Sequence, residues 1–85
     1  MKMEIKKTKT FSTYDLGLAT TLVTLQHNLL ELDKSNPKKV KFVFEDKKNI
    51  QEATTKYWNN SVKLPAQSLF NNLKVLKNRL YSNNE

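Results

Sequence analysis

His27 is the only histidine in the chain, which makes it the first place to look for acid-base or metal chemistry. A general base needs an orienting partner and a pocket for substrate, and a metal site needs at least two further ligands. Asp15 and Asp33 are acids that could stand near it, but no spacing in the sequence enforces this. The simpler role is structural, with His27 ending a helix where a cation meets the negative end of the dipole. Asp15 has a second chemical reading, as half of a carboxylate pair with Glu45 or Asp46. The plainer one is a first-turn acid that stabilises a helix by a few tenths of a kcal/mol. "ED" at 45 and 46 likewise suits a strand end that leads into a helix cap.

Other chemistries are removed by composition. A single Gly rules out phosphate-cradling loops, which need backbone freedom at several positions. The absence of Cys excludes a disulfide framework, a thiolate zinc site and a cysteine nucleophile. One histidine without geometry supports no Ser-His-Asp arrangement. The expectation is a protein that is not an enzyme, with no catalytic residue, no metal and no cofactor.

What the sequence does supply is positive charge. Fifteen Lys and Arg against eight Asp and Glu give a formal net charge of +7, with a pI near 9.7. All of the basic residues but Arg79 are Lys. Such an excess favours polyanions, although Lys and Asn codons are AT-rich and a low-GC genome inflates both. Lys7 and Lys9 close a basic arm, Lys38, Lys39 and Lys41 surround a hairpin turn, and Lys47 and Lys48 lead into a helix. If Lys9, Lys39 and Lys41 share the open face of a sheet, they form a surface for nucleic-acid phosphates, either DNA or RNA. No aromatic side chains interleave with them there, so base stacking is not expected on that face. The plain alternative is a solvated face that keeps a small protein soluble.

Two further surfaces carry partner chemistry. Lys74, Lys77, Asn78 and Tyr81 fall at i, i+3, i+4 and i+7, a stripe suited to phosphates or a base edge, or simply to the polar side of an amphipathic helix. Tyr57 continues an apolar stripe, while Trp58 stands about 100° further round the helix. Trp58 either covers the core or anchors a protein partner or a second copy of the chain, together with Tyr57.

The elements that must position these groups follow from periodicity. Eighty-five residues make one domain that relies on packing alone. Residues 1–9 read as a basic arm that can add an edge strand, 10–82 as one compact α+β domain, and 83–85 as a frayed tail. "TFS" at 10 to 12 suits a strand; Ser12 or Thr13 then caps a helix that carries Leu16, Ala19, Leu22 and Val23 at helical spacing. Gly17 costs about 1 kcal/mol in a helix relative to Ala, which points to close packing around it. Leu30 and Leu32, a turn at "KSNPKK", then Val40, Phe42 and Phe44 read as a hairpin, its second strand covered on both faces. Asp46 or Asn49 caps a helix with Ile50, Ala53, Thr54 and Tyr57 on one face. "VKL" at 62 to 64 is an edge strand or an extended link, and Pro65 starts a last helix with Leu69, Phe70, Leu73, Leu76, Leu80 and Tyr81 as its stripe.

The order is β-α-β-β-α-(β)-α: a three-stranded sheet, antiparallel or mixed, with three helices on one face. A right-handed crossover from the first strand to the second leaves room for the third between them, giving strand order 2-3-1. The N-terminus is basic but no apolar run follows it, so no signal peptide, membrane span or membrane partner is expected and the cytoplasm is the default location.

The residues "F-x-T-x-D-L-x-L-A" from Phe11 to Ala19, "FVFED" at 42 to 46, "YW" at 57 and 58, "A-x-x-L-F" from Ala66 to Phe70 and "LKNRLY" at 76 to 81 carry a resemblance. From about residue 11 to 81 the chain resembles a family of short bacterial and phage proteins catalogued only as a domain of unknown function. The resemblance implies a self-contained domain and transfers no catalytic residue. It also implies a Gly where Gln26 stands here, before His27, a departure that bears on how the first helix ends. Two functions are expected to compete: contact with nucleic-acid phosphates through Lys7, Lys9, Lys38, Lys39, Lys41, Lys47 and Lys48, and a protein-interaction or self-assembly role through Tyr57 and Trp58.

Overall fold

A computed structural model describes residues 9–47 and 49–82. The elements are β1 (Thr10–Thr13), α1 (Leu16–Thr24), β2 (Leu29–Asp33), β3 (Lys41–Glu45), α2 (Ile50–Trp58) and α3 (Ala66–Tyr81). The strand order is β1-β3-β2 with both pairings antiparallel, so the third strand is central as its two-sided apolar pattern implies. Residues 61–65 form an extended link and pair with no strand.

Register decides which residues face the helices. Phe11 lies opposite Phe44 and Thr13 opposite Phe42 on one side of β3; Leu29 and Leu32 take the same partners on the other. A bulge between Leu29 and Glu31 adds one residue to β2, which shifts the period of two. The core pair in β2 is therefore Leu29 and Leu32, and Leu30, read from plain alternation as the inward residue, is exposed.

α1 is the centre of the molecule. Leu18, Ala19, Thr20, Thr21 and Leu22 are buried in succession, so every side of the helix is covered. Leu18, Ala19 and Leu22 form one core with Phe42, Phe44, Ile50 and Leu76. Thr20 satisfies its buried hydroxyl by donating to the Leu16 carbonyl at 2.8 Å. Asn72 of α3 donates to Thr24 Oγ1 at 2.9 Å, tying the two helices by side chains.

Helix ends depart from expectation in three places. Asp15 is itself the N-cap of α1, accepting from the Leu18 amide at 2.8 Å, and Thr13 Oγ1 accepts from the Asp15 amide. β1 consequently runs on to Thr13, and neither Ser12 nor Thr13 caps. Asn49 occupies the N-cap position of α2 in a left-handed conformation and makes no capping bond with its side chain. At the far end of α1 the His27 amide donates to the Leu22 carbonyl and the Gln26 amide to that of Val23. Those two bonds make a Schellman motif, whose left-handed position usually holds Gly. Gln26 fills it at φ 75°. α2 ends the same way, with Asn60 left-handed and Ser61 and Asn60 donating to Lys56 and Tyr57.

In α3, Leu76 is buried and Leu80 packs on the core, but Phe70 and Tyr81 are exposed. The expected six-residue stripe is too broad. At about 100° per residue, Phe70 follows Leu69 and Tyr81 follows Leu80 past the edge of the buried arc.

Candidate functional site

The β2–β3 connection is shaped by two side chains. Asp33 Oδ1 accepts from the Ser35 amide at 3.0 Å and Asn36 Oδ1 from the Lys38 amide at 2.9 Å, turns of the kind short polar residues make with their own backbone. The Ser35 bonds hold the Asp33 carboxyl below the usual carboxylate range, with Lys41 a smaller influence. The turn presents Lys38 and Lys39 to solvent. Lys39 Nζ stands 5.0 Å from the ring centroid of Tyr14, within range for a cation–π contact. Tyr14 is 55% exposed.

The expected basic sheet face does not form. Alternation about Phe42 and Phe44 puts Lys41, Val43 and Glu45 on the open face, opposite Asp33, Glu31 and Ser12 and, for Glu45, Thr10. Three acids meet one lysine there, and Lys41 Nζ lies 4.0 Å from Asp33 Oδ2. Lys9 and Lys47 stand at one end of the sheet, where the Asp46 amide donates to the Lys9 carbonyl and Lys47 pairs with Glu45 at 3.1 Å. Lys38 and Lys39 stand at the other, separated from them by the length of β3, about 17 Å at 3.4 Å per residue. Lys7 and Lys48 lie outside the described residues, as do most of the basic arm and the tail at 83–85.

Several elements converge on the hairpin end. β1 finishes there, since Thr13 pairs with Phe42, and Asp33 pairs with Lys41. Lys34 Nζ donates to the Arg79 and Ser82 carbonyls at 2.7 and 3.1 Å, bringing the end of α3 alongside and putting a cation at the negative end of that helix. The last turn of α2 arrives through Tyr57, whose hydroxyl stands against Asp15 and over Gly17, where a Cβ would collide with it. That answers why the chain has Gly inside α1. Burial first, and then the Asp15 carboxylate, push the Tyr57 phenol above its ordinary value of 10.0.

Tyr57 is thus partly buried, and its ring meets that of Trp58 edge-on at 4.9 Å. Trp58 does not cover the core: it is 61% exposed. Tyr14, Trp58 and Tyr81 are all exposed, and Tyr14 meets the hairpin through Lys39. Tyr14 and Phe70 are exposed aromatic residues that hydrophobic periodicity does not single out. Tyr14 falls between a strand and a cap, where no period applies, and Phe70 shares the apolar spacing of its neighbours.

His27 lies apart from this surface, in a cleft of about 460 Å³ beside Leu25, Asn49, Glu52, Lys56 and Lys63. Glu52 is paired with Lys56 at 3.6 Å. Asp15 is far from Glu45 and Asp46, which sit at the opposite end of β3, so no carboxylate pair forms. Among the described residues, no three of His, Cys, Asp and Glu are grouped to hold a metal, and no helix is long and apolar enough to cross a membrane.

No curated protein and no solved structure matches the chain. A family model matches residues 8–82, which span every strand and helix described above. The chain belongs to the family described as Domain of unknown function (DUF5659).

Proposed function

We propose that this domain is a small, non-catalytic cytoplasmic binding protein of bacterial or phage origin that contacts nucleic-acid phosphates, DNA or RNA, with the hairpin end of the molecule. The observation that carries this reading is Lys39 over the exposed ring of Tyr14, with Lys38 beside it and no acidic residue in the turn from Lys34 to Val40. Cations beside exposed aromatic rings are the pairing that single-strand binders use, the cation for the backbone and the ring for a base. The open sheet face, with three acids, is not part of the surface.

A second reading is favoured by Trp58. An exposed Trp packed edge-on against Tyr57 is the kind of side chain that anchors protein interfaces, so docking on a protein partner or self-association is the alternative. The paired variant Lys38→Glu/Lys39→Glu and the single variant Trp58→Ala separate the two. Loss of oligonucleotide binding in the first alone supports phosphate contact. A Trp58→Ala protein that loses self-association or partner capture, while the lysine variant behaves as wild type, overturns it.

A further inference from the structure

α3 contains Lys74, Lys77 and Arg79 and no acidic residue. At about 100° per residue, Phe70, Lys74, Lys77 and Tyr81 fall within an arc of roughly 60°. That arc adjoins the buried side of Leu69, Leu73, Leu76 and Leu80 without belonging to it, and all four of its side chains face solvent. Phe70 is 60% and Tyr81 76% exposed. An amphipathic helix normally gives its outward face to polar residues. Here that face alternates ring, amine, amine, ring.

We propose that this outward face of α3 is a platform for single-stranded nucleic acid, with Phe70 and Tyr81 stacking bases and Lys74 and Lys77 holding the phosphates between them. The assignment rests on the nucleic-acid reading above and adds to it both the form of the ligand and a second surface. Charge complementarity selects the occupant, because a face with amines and no carboxylates repels a basic partner and attracts a polyanion. The rings then select among polyanions, since every base has a flat face that stacks on an aromatic side chain, whereas the bases of a duplex are stacked on one another already. The eleven residue steps from Phe70 to Tyr81 span about 16 Å of helix axis. At the ~3.4 Å per phosphate that one strand keeps within a duplex, that distance corresponds to about five nucleotides, and an unstacked strand covers it with fewer. Tyr81 lies at the end of α3 that Lys34 ties to the hairpin, so the platform leads into the Lys38–Lys39 turn.

The test is fluorescence anisotropy with a labelled oligothymidylate of about twelve nucleotides, against wild-type protein and the variants Phe70→Ala, Phe70→Leu and Tyr81→Ala, with a duplex of equal length as the comparison. Each truncation weakens single-strand binding about fivefold or more and leaves duplex binding within about twofold. Phe70→Leu, which keeps the apolar bulk without the ring, behaves as Phe70→Ala does. Both rings are mostly exposed, so the variants keep the thermal midpoint of wild type. Wild-type binding that all three variants retain within about twofold overturns the platform and leaves the hairpin reading standing. Equal losses on single strand and duplex overturn the single-strand assignment. Equal competition by polyglutamate of the same charge shows a surface that reads charge alone and also overturns it. If wild type binds neither oligonucleotide, this inference and the nucleic-acid reading fall together.

Discussion

The carboxylate of Asp15 caps α1 and also meets the hydroxyl of Tyr57, which reaches over from α2 and occupies the space beside Gly17. One acid therefore serves two elements, and the only Gly of the chain leaves room for the contact.

Gly17→Ala sets helix propensity against packing. Ala is favoured by about 1 kcal/mol in a helix interior, but its Cβ collides with the Tyr57 hydroxyl and crowds Asp15 Oδ1 at 3.2 Å. Displacing the phenol costs more than the propensity returns, at about 1–3 kcal/mol for overpacking. Gly17→Ala alone is expected to destabilise by about 1 kcal/mol net. In a Tyr57→Phe background, where the hydroxyl is gone, the same change is expected to stabilise. Urea denaturation of the four proteins of this cycle measures the coupling, and additive effects would refute it.

The pH dependence of stability carries the mark of Tyr57. Burial and the Asp15 charge disfavour the phenolate, so the folded-state pKa lies above the unfolded value. A group raised in this way contributes its full stability below the ordinary value of 10.0 and loses it as pH rises through the folded value. Thermal midpoints of wild type and Tyr57→Phe should converge as the pH rises from about 10 to about 12, wild type falling faster. A constant difference across that range would show that the phenol feels no such environment.

Gln26→Gly is expected to raise stability. Gln26 holds the left-handed position of a Schellman motif, a conformation that costs a residue with a Cβ about 1–2 kcal/mol and Gly almost nothing. The greater freedom of Gly in the unfolded chain offsets part of the gain. A net stabilisation of about 0.5–1 kcal/mol corresponds to several degrees in the melting temperature of a domain this size. An unchanged or lowered midpoint would contradict the assignment.

Much of this architecture was legible in the residues. Val40 to Phe44, apolar on both faces, signalled a central strand, and the crossover argument then gave the order of the sheet. Gly17 signalled close packing, and the Tyr57 hydroxyl is its cause. The parts that were not legible share one physical reason: they depend on where a period shifts or how wide a buried face is. The bulge at Leu30 changed the inward residues of β2. The limited arc of α3 turned Phe70 and Tyr81 outward, and Trp58 is exposed because α2 and α3 each pack on α1 and not substantially on each other. The candidate site was legible as charge and not as geometry. Lys38 and Lys39 emerge as a surface with Tyr14, whereas Lys41 is opposed by Asp33 and Lys47 by Glu45.

Lys39 provides the narrowest functional prediction. Tyr14→Ala removes the ring beneath its amine and an exposed aromatic face, and should weaken single-strand binding by about 1–3 kcal/mol, the usual range for one stacked base. It should do so without lowering the melting temperature, because Tyr14 is largely exposed and lies outside the core. Anisotropy titration together with thermal denaturation checks both halves, and unaltered affinity would remove Tyr14 from the surface.

Whether the hairpin end contacts phosphates is tested most directly by oligonucleotide binding as a function of salt. Anisotropy of a labelled single strand at about 50 and about 200 mM salt, for wild type and Lys38→Glu/Lys39→Glu, reads the number of phosphates neutralised, since each single-strand contact contributes about 0.7 to the slope of log affinity against log salt. The account predicts binding at the lower salt that weakens steeply at the higher, with a slope at least about 1.4 shallower in the double variant. Absence of binding at the lower salt, or a slope that the two substitutions leave unchanged, would contradict it.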